Sequence, residues 1–419
     1  MDINQSTIQG NADALLSLFQ QAGIGDTAES PYVRDIGDYV QIVHGDIGTG
    51  ECIQSLLASH GEETTPWHRF QPVIFVMGLF HLKMACADAI WKIFISPRNA
   101  RNDDTSLSKQ VAEIHPNETS KIASKPGFRH MHEIIQHVGI ASCLDCWREE
   151  ICQHNSLIND LEVWAASRPT LNEIQSITII LAKKYLPDKN ASDAFFNPSE
   201  QQDQVHNNIS MREQYFLLYE ELSYALNAGD IGHVETCFIL WAFIFKGCGK
   251  HKYATHLIRF LYDLHYVYPH GLSHAVQMNI LCNPTGKPFH YHAIDWLVEH
   301  NNLYTKCIYG GHFSNRTKAR ILKESALIEF ENMFALNHCT YQHSPPKMTK
   351  TLAKLALYML KTNTHKTVPG RKALYLIPEA MQEGKHKLVA AKEIAYEIGL
   401  DAESNVELEV DGENGDLDV

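Results

Sequence analysis

Apolar positions recur along this chain in two rhythms, and the change from one to the other organises it. Ala12 to Gln21 carries apolar residues at helical spacing and leads into a connector rich in Gly, Asp and Ser up to residue 38. Tyr39-Val-Gln-Ile-Val43 alternates with a period of two and is β-branched, which predicts a strand. Gly50 to His60 predicts a helix and Gly61 to Pro66 a polar turn. Pro72 to Phe80 is a continuous apolar run, the pattern of a strand buried on both faces, and a helix is expected from His81 to Phe94. Strand, helix, strand, helix is the α/β rhythm.

Beyond residue 96 the period of two nearly disappears. Ser96 to Pro126 reads as a polar loop. Phe128 to Leu186 reads as helix with breaks near Asn155 and Arg168-Pro169, and Pro187 to Asn208 as a second polar loop. Helices are expected over Met211–Phe245, Tyr253–Tyr266, His290–Lys306, Asn315–Phe334 and Met348–Leu360. The expected fold class is mostly α with a small α/β part. Its divisions are an N-terminal helix and connector (1–38), an α/β part (39–96), an all-helical block (97–289), a helical return (290–385) and a C-terminal segment (386–419).

Composition narrows the class. With 44% hydrophobic and 20% charged residues among 419, the chain has the material of a folded protein, which excludes disorder throughout. No uncharged apolar run of about eighteen residues predicts a membrane span. The polar, acidic start MDINQSTIQG lacks the build of a secretory signal, so a nuclear or cytoplasmic, non-secreted protein is expected. The ten cysteines lie mostly in apolar stretches, as do Cys86, Cys237 and Cys282, where reduced thiols behave as small hydrophobes. Of the formal charge of −13, eight negative charges fall between Asp401 and Val419, leaving −5 on residues 1–400. Charge therefore neither requires nor excludes a polynucleotide partner.

Four stretches carry candidate chemistry. In His44-Gly45-Asp46-Ile-Gly48-Thr49-Gly50-Glu51, Asp46 stands where a strand ends, a position suited to a metal-binding carboxylate and equally to a helix cap. Phe80-His81 ends the buried run, where His81 can orient a phosphate or a carboxylate, or simply open a helix. Asp295, Glu299, Asn302 and Lys306 follow at steps of four, three and four on one helical face, either a metal-and-phosphate face or a solvated one, with Leu297, Tyr304 and Ile308 opposite. Cys143, Cys146, Cys152 and His154 are soft ligands, but a continuous helix cannot converge them on one ion. Arg316, Lys318 and Arg320 open a helix and suit phosphate contact or a solvated face.

Taken in order, these pieces resemble an uncharacterised domain family expanded in mushroom-forming fungi. Gly45-Asp46 with Thr49 and Glu51, Trp67-His-Arg-Phe70, and Gly78-Leu-Phe80-His81-Leu-Lys83 are similar to its GD-x-x-T-x-E stretch and FH motif. Gly247-x-Gly249-Lys250-x-Lys252-Tyr253-Ala254, Asn283-Pro-Thr-Gly286, Asp295-x-x-x-Glu299-x-x-Asn302-x-x-x-Lys306 and Asn315-x-Thr317 continue the pattern, over residues 39–385. That family resembles cut-and-paste DNA transposases of the Kyakuja-Dileera-Zisupton type. The resemblance implies a ribonuclease-H-like core interrupted by a helical insertion, two Mg²⁺ or Mn²⁺ ions on three carboxylates, and DNA as partner. Asp46 would be the second carboxylate and Glu299 the third, with His81 beside them and Lys306, Arg316, Lys318 and Arg320 towards nucleic acid.

The first carboxylate is expected on a strand upstream of Asp46, yet Asp2, Asp13, Asp26, Asp35 and Asp38 all lie outside any strand pattern. The expectation is a truncated copy with an incomplete site, inactive and at most nucleic-acid binding, since two metals short of one ligand turn over poorly. The alternative is a helical interaction or scaffold protein in which Asp46, His81 and Glu299 are structural.

Overall fold

The computed structural model describes residues 3–4, 6–35, 37, 39–154, 160–187, 201–309 and 348–390, with isolated positions between 314 and 323. Helix α1 (Ile8–Ala22) opens at Thr7, whose hydroxyl accepts the Gly10 N–H, and closes at Gly23 in the left-handed region. Its stripe of Ala12, Leu15 and Phe19 packs on Ile53 and Leu56 of α2 (Ile47–Ser59), and Phe70 and Val73 complete this small core. Strands β1 (Gln41–Gly45) and β2 (Val73–Met77) flank α2 in sequence and pair in parallel, Gln41 opposite Val73 through Gly45 opposite Met77. A parallel pair needs a crossover, and α2 supplies it.

Both strand boundaries differ from those read in the sequence. Tyr39 and Val40 are exposed, and the ladder begins at Gln41, whose N–H donates to the Pro72 carbonyl. At the far end the apolar run continues but the strand does not. The Gly78 N–H makes a last ladder bond to Gly45, and α3 (Leu79–Phe94) starts at once.

The expected helical block follows, with more helices than its periodicity announced. A 3₁₀ turn (Arg98–Arg101), α4 (Leu107–Ile114) and α5 (Thr119–Ser124) occupy the stretch read as a polar loop. They are too short to show a period, yet Leu107, Val111 and Ile122 are buried. The long helix α6 (Phe128–His154) and the shorter α7 (Leu161–Ala166) and α8 (Leu171–Tyr185) follow, with α7 and α8 parted at Arg168-Pro169 as expected, while the break expected near Asn155 lies outside the described residues. The span 211–245 is two helices, α9 (Gln204–Ala228) and α10 (Ile231–Cys248), divided by Gly229 in the left-handed region. Helix α9 begins seven residues before the expected Met211, because the Asp203 carboxylate caps it through the His206 N–H.

Helix α10 is long and apolar enough to cross a membrane by length and composition. Here its Val234, Phe238, Trp241 and Phe245 lie in the main hydrophobic core instead. After α11 (His251–Tyr262), a π turn (Asp263–Val267) and α12 (His270–Met278), the two-residue strands β3 (Leu281–Cys282) and β4 (His292–Ala293) pair antiparallel. Helix α13 (Ile294–Tyr309) then packs on α3 and β1, returning the chain to the α/β part.

The last helices do not follow it there. Helix α14 (Thr349–Thr362) lies against α6 and α4, and α15 (Ala380–Ala390), which the sequence reading left out, lies against α10. The α10–α15 contact is backbone-close: a Cβ on Gly247 would stand 1.8 Å from the Ala380 carbonyl oxygen, and one on Gly384 1.8 Å from that of Phe243. Two glycines facing two backbones explain why no apolar period marks this interface. The helix expected over Asn315–Phe334 lies mostly outside the described residues.

Candidate functional site

The C-terminal ends of β1 and β2 gather the sequence candidates, and one carboxylate organises them. Asp295, in the first turn of α13, is 5% exposed. Its Oδ1 accepts the Phe80 N–H (3.1 Å) and its Oδ2 accepts the His81 N–H (3.0 Å), with His81 Nδ1 at 2.9 Å from Oδ2. Helix α3 has only Gly78 at its N-cap, with no side chain to satisfy its first N–H groups, so Asp295 caps it from a distant element. A Cβ on Gly78 would lie 2.2 Å from Asp295 Oδ2, so glycine there makes room for the carboxylate.

This corrects the helical-face reading. Asp295 does not join Glu299 and Asn302 on a solvated or ligand-binding face but points inward to α3. Beside it, Trp296 stacks between His292 (4.1 Å) and His300 (5.0 Å). His44, on β1, stood at the head of the first candidate stretch without a role of its own. Burial lowers its pKa, against the Asp295 charge and a hydrogen bond with the Asn279 backbone.

Asp46 is the N-cap of α2, its Oδ1 accepting the Thr49 N–H at 2.7 Å. Of the two readings open for Asp46, the cap is realised. Glu299, one turn beyond Asp295, is half-buried and makes no hydrogen bond or ion pair among the described residues. No group of three or more His, Cys, Asp or Glu side chains among the described residues is arranged to hold a metal ion. Among the described residues, the donors are therefore not arranged as a two-metal site. The same holds for Cys143, Cys146, Cys152 and His154, which lie along the unbroken α6. The side chains of Lys306, Arg316 and Lys318 lie outside the described residues, and Arg320 is exposed.

The other motifs make contacts of the same kind. Glu51 pairs with Lys252 (3.0 Å), joining α2 to α11, and Lys250 pairs with Asp88 (2.6 Å), joining the α10–α11 turn to α3. Gly50 lets α2 lie on Phe75 of β2, whose ring would be 2.3 Å from any Cβ there. Asn283 Oδ1 accepts the Gly286 N–H (2.9 Å) and closes the turn that leads to β4. Trp67 meets Phe19 edge-on and donates its indole N–H to Asp35.

A second constellation went unseen in the sequence because its members come from four separated segments. His365 is fully buried, with Nδ1 at 2.7 Å from Asp145 Oδ2 and Nε2 at 3.9 Å from Glu213 Oε1. Arg148 holds the other Asp145 oxygen (2.7 Å). Arg212 holds Glu213 (2.9 Å) and spends its remaining donors on Gln110, Ser142 and the Thr105 carbonyl. Burial opposes ionisation of both carboxylates, but the cations hold Asp145 and Glu213 below their ordinary range. His365 is held well above its ordinary value: burial works against its charge, and Cys146, Asp145 and Glu213 around it outweigh that.

These contacts define a mostly helical protein whose small βαβ part is clamped to a helical block by side chains from distant motifs. The chain belongs to the Family of unknown function (DUF6589), whose family model matches residues 1–337. Comparison with curated proteins and with solved structures gave no match.

Proposed function

We propose that this chain is a transposase-derived protein with an incomplete ribonuclease-H-like core, without nuclease or strand-transfer activity, and with nucleic-acid binding as its remaining role. The observation that carries the reading is the employment of the motif carboxylates. Asp295 is taken up by two backbone N–H groups and His81, and Asp46 by the start of α2. Groups so engaged hold the fold together; they are not the open oxygen cage that a hard divalent ion requires. The return of α13 to α3 and β1 after a long helical excursion supports the derivation, as does the strand-end position of Asp46. Glu299 is the motif carboxylate left without a structural partner among the described residues.

Incubation with Mg²⁺ or Mn²⁺ and supercoiled or branched DNA tests the absence of catalysis. Cleavage is expected to equal that of an Asp46→Asn, Glu299→Gln double variant. Metal-dependent nicking that the double variant abolishes would overturn the reading. Binding is tested by gel shift at two salt concentrations. Replacing Arg316, Lys318 and Arg320 by Ala should remove about two to three units of the log–log salt slope. Deleting residues 401–419 should strengthen binding, more at low salt. No DNA binding by the full chain under either condition would favour the scaffold alternative, in which the same clamps are the whole purpose of the motifs.

A further inference from the structure

Strands β1 and β2 form a sheet of two strands, and their register fixes which backbone groups each edge leaves over. The Gln41 N–H donates to the Pro72 carbonyl, and the Gly45 carbonyl accepts the Gly78 N–H. Gln41, Val43 and Gly45 therefore turn their N–H and C=O groups towards β2, and Ile42 and His44 turn theirs the other way. Among the described residues, the main chain of Ile42 and of His44 makes no hydrogen bond on that outer side. Strand β2 is the enclosed member of the pair: Val73, Val76 and Met77 are buried, and α11 packs against the strand. All five residues of β1 are only half-buried.

A row of unpaired N–H and C=O groups recruits another strand unless something blocks it, usually a charge, a proline or a bulge. The stretch Tyr39-Val-Gln-Ile-Val-His-Gly45 has no Lys, Arg, Asp, Glu or Pro, and its register with β2 runs without a bulge. Tyr39 and Val40 are 63% and 39% exposed and continue the alternation of β1 past the end of the ladder. A sheet of only two strands is also marginal by itself in water. The edge is complementary to itself. Turned antiparallel, Ile42 of one copy meets His44 of the other and exchanges both backbone bonds with it, and the reverse pair does the same around a two-fold axis at Val43. The two Val43 side chains then face each other in a non-hydrogen-bonded pair, the closer kind, which suits β-branched residues.

We propose that the outer edge of β1 is a self-association surface, on which a second copy of this chain lays its own β1 antiparallel across a two-fold axis at Val43. The occupant is a second copy because the edge supplies its own complement: the same donors and acceptors at the same spacing, the same β-branched residue on the axis, and an exposed Tyr39-Val40 extension that the other copy covers at both ends. In this register Val40 falls opposite the second copy's Asp46, and Gln41 opposite its Gly45. The pairing rests on main-chain geometry and does not depend on the transposase reading.

The test uses the full chain. Light scattering at micromolar concentration should give twice the chain mass of 47.5 kDa. Ile42→Pro removes an N–H that points away from β2, so the β1–β2 ladder survives while the dimer should weaken about tenfold or more. Val40→Glu, at an exposed position, sets a second carboxylate opposite Asp46 and should weaken the dimer about fivefold, an effect Val40→Lys should not show. Unfolding midpoints confirm that each variant is folded, and Val40→Glu decides if Ile42→Pro is not. Mild oxidation checks the register. Val43→Cys should cross-link copies into a reducible dimer beyond the wild-type level; Gln41→Cys should not, since its two copies stand about 13 Å apart along the strands. A wild-type monomer overturns the proposal. So does a dimer that folded Val40→Glu leaves intact, or one that Gln41→Cys cross-links as readily as Val43→Cys.

Discussion

Asp295 and His81 stand 214 residues apart in sequence and 2.9 Å apart in space. The carboxylate takes both the imidazole and two N–H groups of the helix that carries it. Each partner answers a need the other has. Helix α3 has no N-cap side chain of its own, and a carboxylate this buried needs donors on both oxygens.

Replacing Asp295 by Ala should therefore destabilise the protein by about 3 kcal/mol, the cost of leaving the first helix N–H groups without their acceptor and removing the carboxylate from His81 Nδ1. Asp295→Asn, which retains one carbonyl oxygen, should recover part of this. Urea unfolding at neutral pH measures both. Equal stability of Asp295→Ala and wild type would mean the clamp is not made in solution.

The glycines of the α10–α15 contact give a steric prediction. A Cβ at Gly247 or Gly384 meets a carbonyl oxygen of the facing backbone, which cannot swing aside as a side chain can. Gly247→Ala and Gly384→Ala should each cost about 2 kcal/mol or more. Gly271→Ala in α12 is the control, since nothing lies within 4 Å of its added methyl. That substitution should be neutral or stabilise by about 0.5 kcal/mol. Denaturant midpoints of the three variants decide the point, and equal losses at all three positions would contradict the packing argument.

The His365 cluster predicts stability that depends on pH at both ends. Asp145 and Glu213 have lowered pKa values, so their contribution is present above the ordinary carboxylate range and is lost as pH falls through the folded values. His365 has a raised pKa, so its contribution is complete below about 6.5, the ordinary histidine value, and declines as pH rises towards its folded value. His365→Gln should remove the alkaline decline and cost about 3 kcal/mol or more near pH 6, because it leaves two buried carboxylates short of a cation. Urea midpoints from pH 4 to 10 for wild type and variant provide the comparison. Parallel curves would show that His365 is neutral in the folded protein.

The periodic signals in the sequence located most elements because each reports a local fact: which face of a helix or strand is apolar. Ala12, Leu15 and Phe19 announce α1, and Pro72 to Phe80 announces a buried strand. Helices α4 and α5 escaped because one or two turns show no period, and the division at Gly229 escaped because apolar residues continue on both sides of it. The site was legible as a set of residue types but not as a set of contacts. Asp46 beside Thr49 is a local cap, open to a reading from spacing; Glu51 with Lys252 is not.

What the sequence determined by itself was the mostly helical class, the strand–helix–strand–helix opening and the stretches where polar groups interrupt apolar ones. Tertiary structure alone decided what those polar groups do. Spacing along α13 puts Asp295 and Glu299 on one face, but it holds no information about the uncapped helix that the face meets. Once α3 presents its free N–H groups and His81 at that place, hydrogen bonding in a buried setting takes Asp295 out of any shared role with Glu299. The same holds for His365, whose neighbours Asp145, Cys146 and Glu213 come from two remote helices, α6 and α9, that no local pattern connects to it.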